Sequence, residues 1–324
     1  MSNISRVFIG LILAWAGFAI TPAAQAQTPV RIVSGFPPGG GVDAVARLLA
    51  DQLTKQSGRV HIVENKSGAG GIIAVQSMLT APADGSVLLL APDSNIVIYP
   101  HTVSTPGFDA LKDLAPISQI VRYDLALTVR GSDERIKNFK DLITLVKASP
   151  NAGNFASPSA GSLQHFYGLS VGQAAGVNLL HVAYRGVGPA ITDTMAGVVT
   201  ALVTPVGPVL QHAQSGGLRI LATSGNERGA KTRDVPTLKE LGYPQLVAHG
   251  WFGLFAPSRT PPDVLEKINA AVALAAKDRE FRAKLDALDM EPSWTPASEF
   301  KAEVDAQNSN WAKLVRQSGF RADR

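Results

Sequence analysis

The sequence predicts an α/β protein built around a parallel sheet. Short β-branched runs alternate with apolar residues at helical spacing, the pattern of repeated βαβ units. The turns after several of these runs are rich in glycine, serine and proline, as strand-to-helix connections are. The chain has 324 residues, enough for two ordinary domains, and no cysteine. Disulfides, thiolate catalysis and Cys-ligated zinc are therefore excluded. Hydrophobic residues make up 45% and charged residues 17%, as in a packed globular protein. The net charge of +4 is spread without a Lys/Arg block. No basic stripe with interleaved aromatics appears, so no nucleic-acid partner is expected.

The N-terminus reads as a targeting segment. Arg6 is followed by an apolar run from Val7 to Ile20, and Ala24-Gln25-Ala26 matches a small-x-small cleavage site. This is the pattern of a secretory signal peptide over residues 1–26, with a mature chain starting near Gln27. The apolar run is short for a membrane span. An exported protein is expected, and a periplasm offers no ATP pool for a nucleotide enzyme.

After the signal, Val30-Arg31-Ile32-Val33-Ser34 is strand-like. The turn Phe36-Pro37-Pro38-Gly39-Gly40-Gly41 leads into a helix carrying Val45, Leu48, Leu49 and Leu53. Asp43 lies near the helix start, where it can accept a bond from a first-turn N–H. Glycines let the backbone approach a ligand, and a helix start offers unpaired N–H groups to an anion. The stretch reads either as one wall of an anion-binding cleft or as a tight connection that binds nothing. A second strand at Val60-His61-Ile62-Val63 precedes a second Gly-rich turn, Ser67-Gly68-Ala69-Gly70-Gly71, and a helix through Ile72, Val75 and Leu79. A third strand, 87–90, ends in the polar loop Asp93-Ser94-Asn95. Ligands of parallel sheets bind beyond the carboxyl ends of strands, so these turns should share one edge.

The middle of the chain repeats the layout. Leu125-Ala126-Leu127-Thr128-Val129 is a strand, and a helix runs from Phe139 to near Pro150. Then Ser157-Pro158-Ser159-Ala160-Gly161-Ser162 forms a small-residue turn into another helix. His181-Val182-Ala183-Tyr184 is a strand, followed by the turn Arg185-Gly186-Val187-Gly188-Pro189 and a helix with Ile191, Met195 and Val198. Ala201-Leu202-Val203 is a short strand ending at Thr204-Pro205, and 218–223 is another. The last third reads as mostly helical. Thr260-Pro261-Pro262 and Thr295-Pro296 are start signals and Gly319 a stop. Phe300, Val304, Trp311 and Val315 lie along one helical face and read as core.

Catalytic motifs are weak. Gly39–Gly41 lacks the Lys-Ser/Thr of a phosphate loop, and Gly68-Ala69-Gly70-Gly71 fails the dinucleotide spacing at the third glycine. Ser157-Pro158-Ser159-Ala160-Gly161 resembles a nucleophile elbow but has Ser157 where the elbow needs glycine. His165, His181, His212 and His249 are scattered and carry no local base signature. Neither His-x-x-x-His nor a paired carboxylate cluster appears. No catalytic residue, metal or cofactor is expected. What remains suits gripping an anion, which points to a binding protein.

At this point an ordered set of motifs resembles a known family. Phe36-Pro37-Pro38-Gly39-Gly40 with Asp43 and Arg47, Val63-Glu64-Asn65-Lys66 with Gly68-Ala69-Gly70-Gly71, Tyr184-Arg185-Gly186 with Pro189, Ala190 and Asp193, Asp234-Val235-Pro236-Thr237, and Trp251-Phe252-Gly253-Leu254-Phe255-Ala256-Pro257 fall in the order of the tripartite tricarboxylate transporter receptors, the Bug family. The resemblance covers nearly all the mature chain. It implies a type II periplasmic-binding-protein fold, two α/β lobes with a cleft between them. Lobe one is expected at residues 27–122 plus 248–324 and lobe two at 123–247. The implied ligand is a small carboxylate, the implied partner a two-component membrane permease, and the implied state a monomer.

The resemblance also implies site residues. Phe36, Pro38, Gly39 and Gly40 match the first loop, which holds a ligand carboxylate through water. Ser94 and Asn95 match the second loop of lobe one. Ser157, Ala160, Gly161 and Ser162 match the lobe-two loop that grips a carboxylate directly, and Tyr184 and Arg185 lie beside the cleft. Arg47, Glu64 and Asp193 are expected to be structural pairs or caps. Many relatives carry Asp after the strand at 201–203, where amino-acid binders pair it with the ligand ammonium. This chain has Thr204, which implies a ligand without an amino group. An exported hydrolase using Ser159 or Ser162, or a subunit that senses the ligand for a signalling partner, are the alternative readings.

Overall fold

A computed structural model describes residues 28–322. The expected signal peptide lies outside the described residues. Ten strands and eleven α-helices account for most of the described chain. The first half-sheet begins with β1 (Val30–Ser34), β2 (His61–Asn65) and β3 (Val87–Pro92). β1 pairs in parallel with both β2 and β3. α1 (Gly41–Ser57) follows β1 and buries Val42, Val45, Ala46, Leu49 and Leu53, one face at helical spacing. It ends at Gly58 in the left-handed region, whose N–H donates to Thr54 O. α2 (Ile72–Ser77) follows β2, and a π-helical turn at Ser94–Ile98 follows β3. Two short helices, α3 (Tyr99–Thr102) and α4 (Ala110–Asp113), lead to the central strand.

That strand, β4 (Leu114–Arg130), is 17 residues long and belongs to both half-sheets. Its first part, as far as Asp124, pairs antiparallel with β9 (His249–Pro257) and briefly with β10 (Glu291–Pro292). From Leu125 onward it pairs antiparallel with β7 (Ala201–Pro205), and from Ala126 with β8 (Leu218–Thr223). β5 (Asn154–Ser157) pairs in parallel with β7 and with β6 (Leu180–Ala183). The helices of this half are α5 (Phe139–Ala148), α6 (Leu163–Ala175), α7 (Val187–Ala196) and α8 (Gly207–Gln214). The chain returns to the first half through β9, then adds α9 (Pro262–Lys277), α10 (Arg279–Ala287) and α11 (Ala297–Ser318).

The sheet is mixed, which corrects the parallel sheet expected from the alternation of strands and helices. β4 and β9 run between the halves instead of closing βαβ units, so they pair antiparallel. Their crossing is held at its middle. Ser224 Oγ accepts the Leu125 N–H at 2.8 Å and donates to Ala248 O at 2.6 Å. Beside it, His249 Nδ1 lies 2.6 Å from Asp124 Oδ1. Gly250 permits this approach, since a Cβ there would lie 2.2 Å from Tyr123 Cζ. The core is dominated by Trp251, Phe255 and Phe300, with the Trp251 and Phe300 rings edge-to-face at 5.2 Å. Phe300 is thus core, as expected, and Trp311 packs on Phe166.

Candidate functional site

Strand direction decides where the strand ends point. β3 and the first part of β4 are both antiparallel to β9, so β1, β2 and β3 run the same way as β4. Their carboxyl ends therefore point toward the second half-sheet. β7 is antiparallel to the continuation of β4, and β5 and β6 run with β7. Their carboxyl ends point back toward the first half. The turns after β1, β2 and β3 thus oppose the turns after β5, β6 and β7. This is the ligand-binding edge of an α/β sheet, present twice and face to face.

On the first side, the turns after β1, β2 and β3 are tied together. Asn65 Nδ2 donates to Phe36 O at 3.0 Å and to Asp43 Oδ1 at 2.8 Å. Asn95 Nδ2 donates to Gly70 O at 2.8 Å. Gly71, at φ +100°, makes this convergence possible: a Cβ would lie 2.8 Å from Asn95 Oδ1 and 3.1 Å from Phe36 Cε2. Asp43 is buried and accepts from Gly39 N–H and from Arg47 Nε, both at 2.9 Å. The Arg47 bond holds its pKa down at about 2. Asp43 therefore shapes the 37–40 turn instead of capping a first-turn N–H as expected, and Gly40 is the N-cap. Pro38 and Gly39 are exposed, while Phe36, Gly40 and Ser94 are half-buried. Glu64 pairs with Arg31 at 3.0 Å, and Asp193 accepts from Tyr184 OH at 2.7 Å.

Asp93 caps the π-helical turn, accepting the Ser94 N–H at 2.6 Å. Burial raises its pKa to about 7 against the opposing N–H groups of Ser94 and Trp251.

On the second side, Ser162 is the N-cap of α6, accepting the His165 N–H at 3.3 Å. Its hydroxyl donates to Ser159 O at 2.8 Å. Tyr184 N–H donates to Ser157 O and Gly186 N–H to Pro158 O, which brings the Tyr184–Arg185 turn alongside. Arg185 is exposed and makes no ion pair among the described residues. Among the described residues, the N–H groups of Ser159, Ala160 and Ser162 have no intramolecular acceptor. The hydroxyls of Ser34 and Thr204, at the ends of β1 and β7, are buried and have no partner among the described residues. Buried polar groups are nearly always satisfied, so such hydroxyls suit water or ligand.

Among the described residues, no imidazole bonds to the hydroxyl of Ser159 or Ser162. A serine–histidine contact does exist at the first position of the expected elbow, two residues before Ser159: Ser157 Oγ is 2.7 Å from His181 Nε2. Ser157 is fully buried, and burial lowers the His181 pKa to about 4. A buried hydroxyl beside so weak a base is poorly suited to attack a substrate. In the sequence His165 and His181 are candidate bases only. Their spacing gives no sign that they touch.

A groove of about 830 Å³ lies elsewhere, lined by Arg122, Asp124, Lys231, His249, Arg282 and Asp289 among others. It includes none of the predicted site residues, and Lys231 there is engaged with Asp286 and Asp289. The facing turns offer unspent donors, whereas several of the groove's charges, Asp124, Lys231 and Asp289 among them, are already paired.

Comparison with known proteins bears on the family and the fold. The family model described as tripartite tricarboxylate transporter family receptor matches residues 45–320. Protein BugT of Bordetella pertussis is 31% identical over 322 residues, covering 98% of each chain. The structure of the periplasmic binding protein BugD superposes with a TM-score of 0.78 at 29% identity, over 91% of this chain and 99% of that one. A protein of R. palustris solved with adipate has a TM-score of 0.81 at 26% identity, over 92% and 99%. No helix among the described residues is long and apolar enough to cross a membrane.

Proposed function

We propose, from the premise that this chain belongs to the tripartite tricarboxylate transporter receptor family, that it is a periplasmic receptor for a small carboxylate lacking an amino group. The supporting observation is the opposition of two strand-end edges, each carrying uncharged polar groups. An anion between them is held by main-chain N–H groups and hydroxyls from both sides. It therefore binds the closed arrangement more tightly than an open one. Residues 27–122 plus 248–324 act as one lobe and 123–247 as the other, with bending at the β4 and 224–249 crossings. The loaded form is delivered to a two-component membrane permease, after export through the N-terminal signal peptide. The protein acts as a monomer.

The site comprises Phe36, Pro38, Gly39, Gly40, Ser94 and Asn95 on one side. Ser157, Ala160, Gly161, Ser162, Tyr184, Arg185 and Thr204 complete it on the other. Ser157 and Ser162 act by shaping their turn, since their hydroxyls are engaged within it. The ligand then takes the free N–H groups. Thr204 replaces the carboxylate that an ammonium requires; losing such a charged hydrogen bond costs about 1.5–3 kcal/mol. A dicarboxylate fits best, because adipate occupies a relative and Arg185 offers a free cation for a second carboxylate.

A thermal-shift panel tests this reading. Succinate, malate or adipate should raise the melting temperature more than glutamate or aspartate. Preferential stabilisation by the amino acids would refute it.

A further inference from the structure

Behind the turn at 157–162, two histidines lie face to face. His165 on α6 and His181 on β6 stack with ring centroids 3.7 Å apart and planes 19° from parallel. Phe155 closes on His181 at 5.1 Å, and Phe166 and Phe320 close on His165, each at 4.9 Å. Each imidazole meets one end of the turn. His181 Nε2 is 2.7 Å from Ser157 Oγ, and the Gly161 N–H donates to His165 Nδ1 at 3.1 Å. A ring nitrogen that accepts carries no proton, so His165 is neutral with its hydrogen on Nε2. Burial agrees with this, lowering the pKa of His165 to about 3 and that of His181 to about 4. Gly161 sits at φ +72°, and a Cβ there would come within 3.2 Å of Phe320 Cε1.

We propose that the His165–His181 stack positions the anion-gripping turn, its two neutral rings holding Ser157 and Gly161 so that the N–H groups between them remain free for the ligand carboxylate. This rests on the receptor reading above. Both rings act through the turn and are positioning residues. A turn fixed in advance need not be ordered at the moment of binding, which strengthens the complex. Neutrality is part of the role, because protonating Nδ1 of His165 would turn it from the acceptor of the Gly161 N–H into a competing donor. Neither histidine serves as a base.

Adipate titrated calorimetrically is the probe, on variants shown to be folded by circular dichroism. His165→Leu and His181→Phe should each weaken binding about tenfold, as loss of one buried hydrogen bond does. His165→Asn retains an acceptor near the Nδ1 position, and His181→Gln retains a polar partner for Ser157. Both should recover most of the loss. Nitrogen NMR at neutral pH should find His165 protonated on Nε2 alone. Wild-type affinity in the folded Leu and Phe variants, failure of both rescues, or a proton on Nδ1 would overturn the proposal. If the wild-type protein takes no adipate, the choice of ligand has failed instead. The anchoring then rests on hydrogen exchange of the Gly161 amide: slow in the wild type and fast in His165→Leu sustains it, and equal rates overturn it.

Discussion

The Thr204 hydroxyl is buried and makes no hydrogen bond among the described residues. Such a group is a burden on the protein, and in the proposed reading the bound carboxylate relieves it. Thr204→Val keeps the shape and removes the hydroxyl. It should leave the unfolding free energy unchanged or raise it by up to about 1 kcal/mol. Carboxylate affinity should fall by about fivefold or more, the loss of one modest hydrogen bond. Calorimetry and denaturant melts on the same variant separate the two effects, and a variant that loses stability without losing affinity contradicts the assignment. The identity at position 204 was legible in the sequence, because the resemblance to relatives brought it into register. That its hydroxyl stands alone was not, since this depends on which groups the pairing of β7 with β4 leaves nearby. The contact between His165 and His181 was hidden for the same reason. It follows from β5 and β6 lying side by side, with Phe155 opposite His181, and from α6 packing against them.

Elements that form the two walls respond to acid in opposite senses. His165 on α6 and His181 on β6 have folded pKa values of about 3 and about 4, below the unfolded value of about 6.5. Between those limits the unfolded chain binds more protons, so acidification from pH 6.5 to 4 destabilises the fold. Asp93, capping the turn after β3, has a folded pKa of about 7 against an unfolded value near 3.9. Over pH 7 to 4 the folded state binds the extra proton there, so acidification stabilises that turn. Denaturant melts across this range should show a net loss that becomes steeper in Asp93→Asn and shallower in His165→Asn. The opposite order would contradict the burial of these groups. Most helices were readable because their apolar residues recur at one face, as in α1, and their ends carry proline, glycine or a capping side chain. β4 was only half visible. Pro116, Ser118 and Gln119 interrupt its first part, which holds as strand through pairing with β9 despite two irregularities of register. β9 is a continuous apolar run whose periodicity does not separate strand from helix.

At the scale of the whole molecule, one topological fact arranges everything else: β4 leaves one half-sheet and enters the other without ending. Strands on its two sides therefore aim their carboxyl ends at each other. Local patterns do not encode pairing direction, which is why the sequence suggested a parallel sheet and the ordered family motifs were needed to suggest two lobes. Contacts also join distant parts of the chain. Phe320 and Trp311 meet Phe166, and Lys231 reaches Asp286 and Asp289. Among the described residues the facing turns carry donors without a reactive nucleophile–base pair, so capture without conversion is expected. The most direct test is to expose the protein to an equimolar mixture of succinate, malate, adipate, glutamate and aspartate. After unbound molecules are removed, the protein is denatured and the released molecules are identified by mass spectrometry. An unaminated acid should be recovered, chemically intact and close to one per chain. Recovery of glutamate or aspartate in preference, of an altered product, or of no acid at all would contradict it.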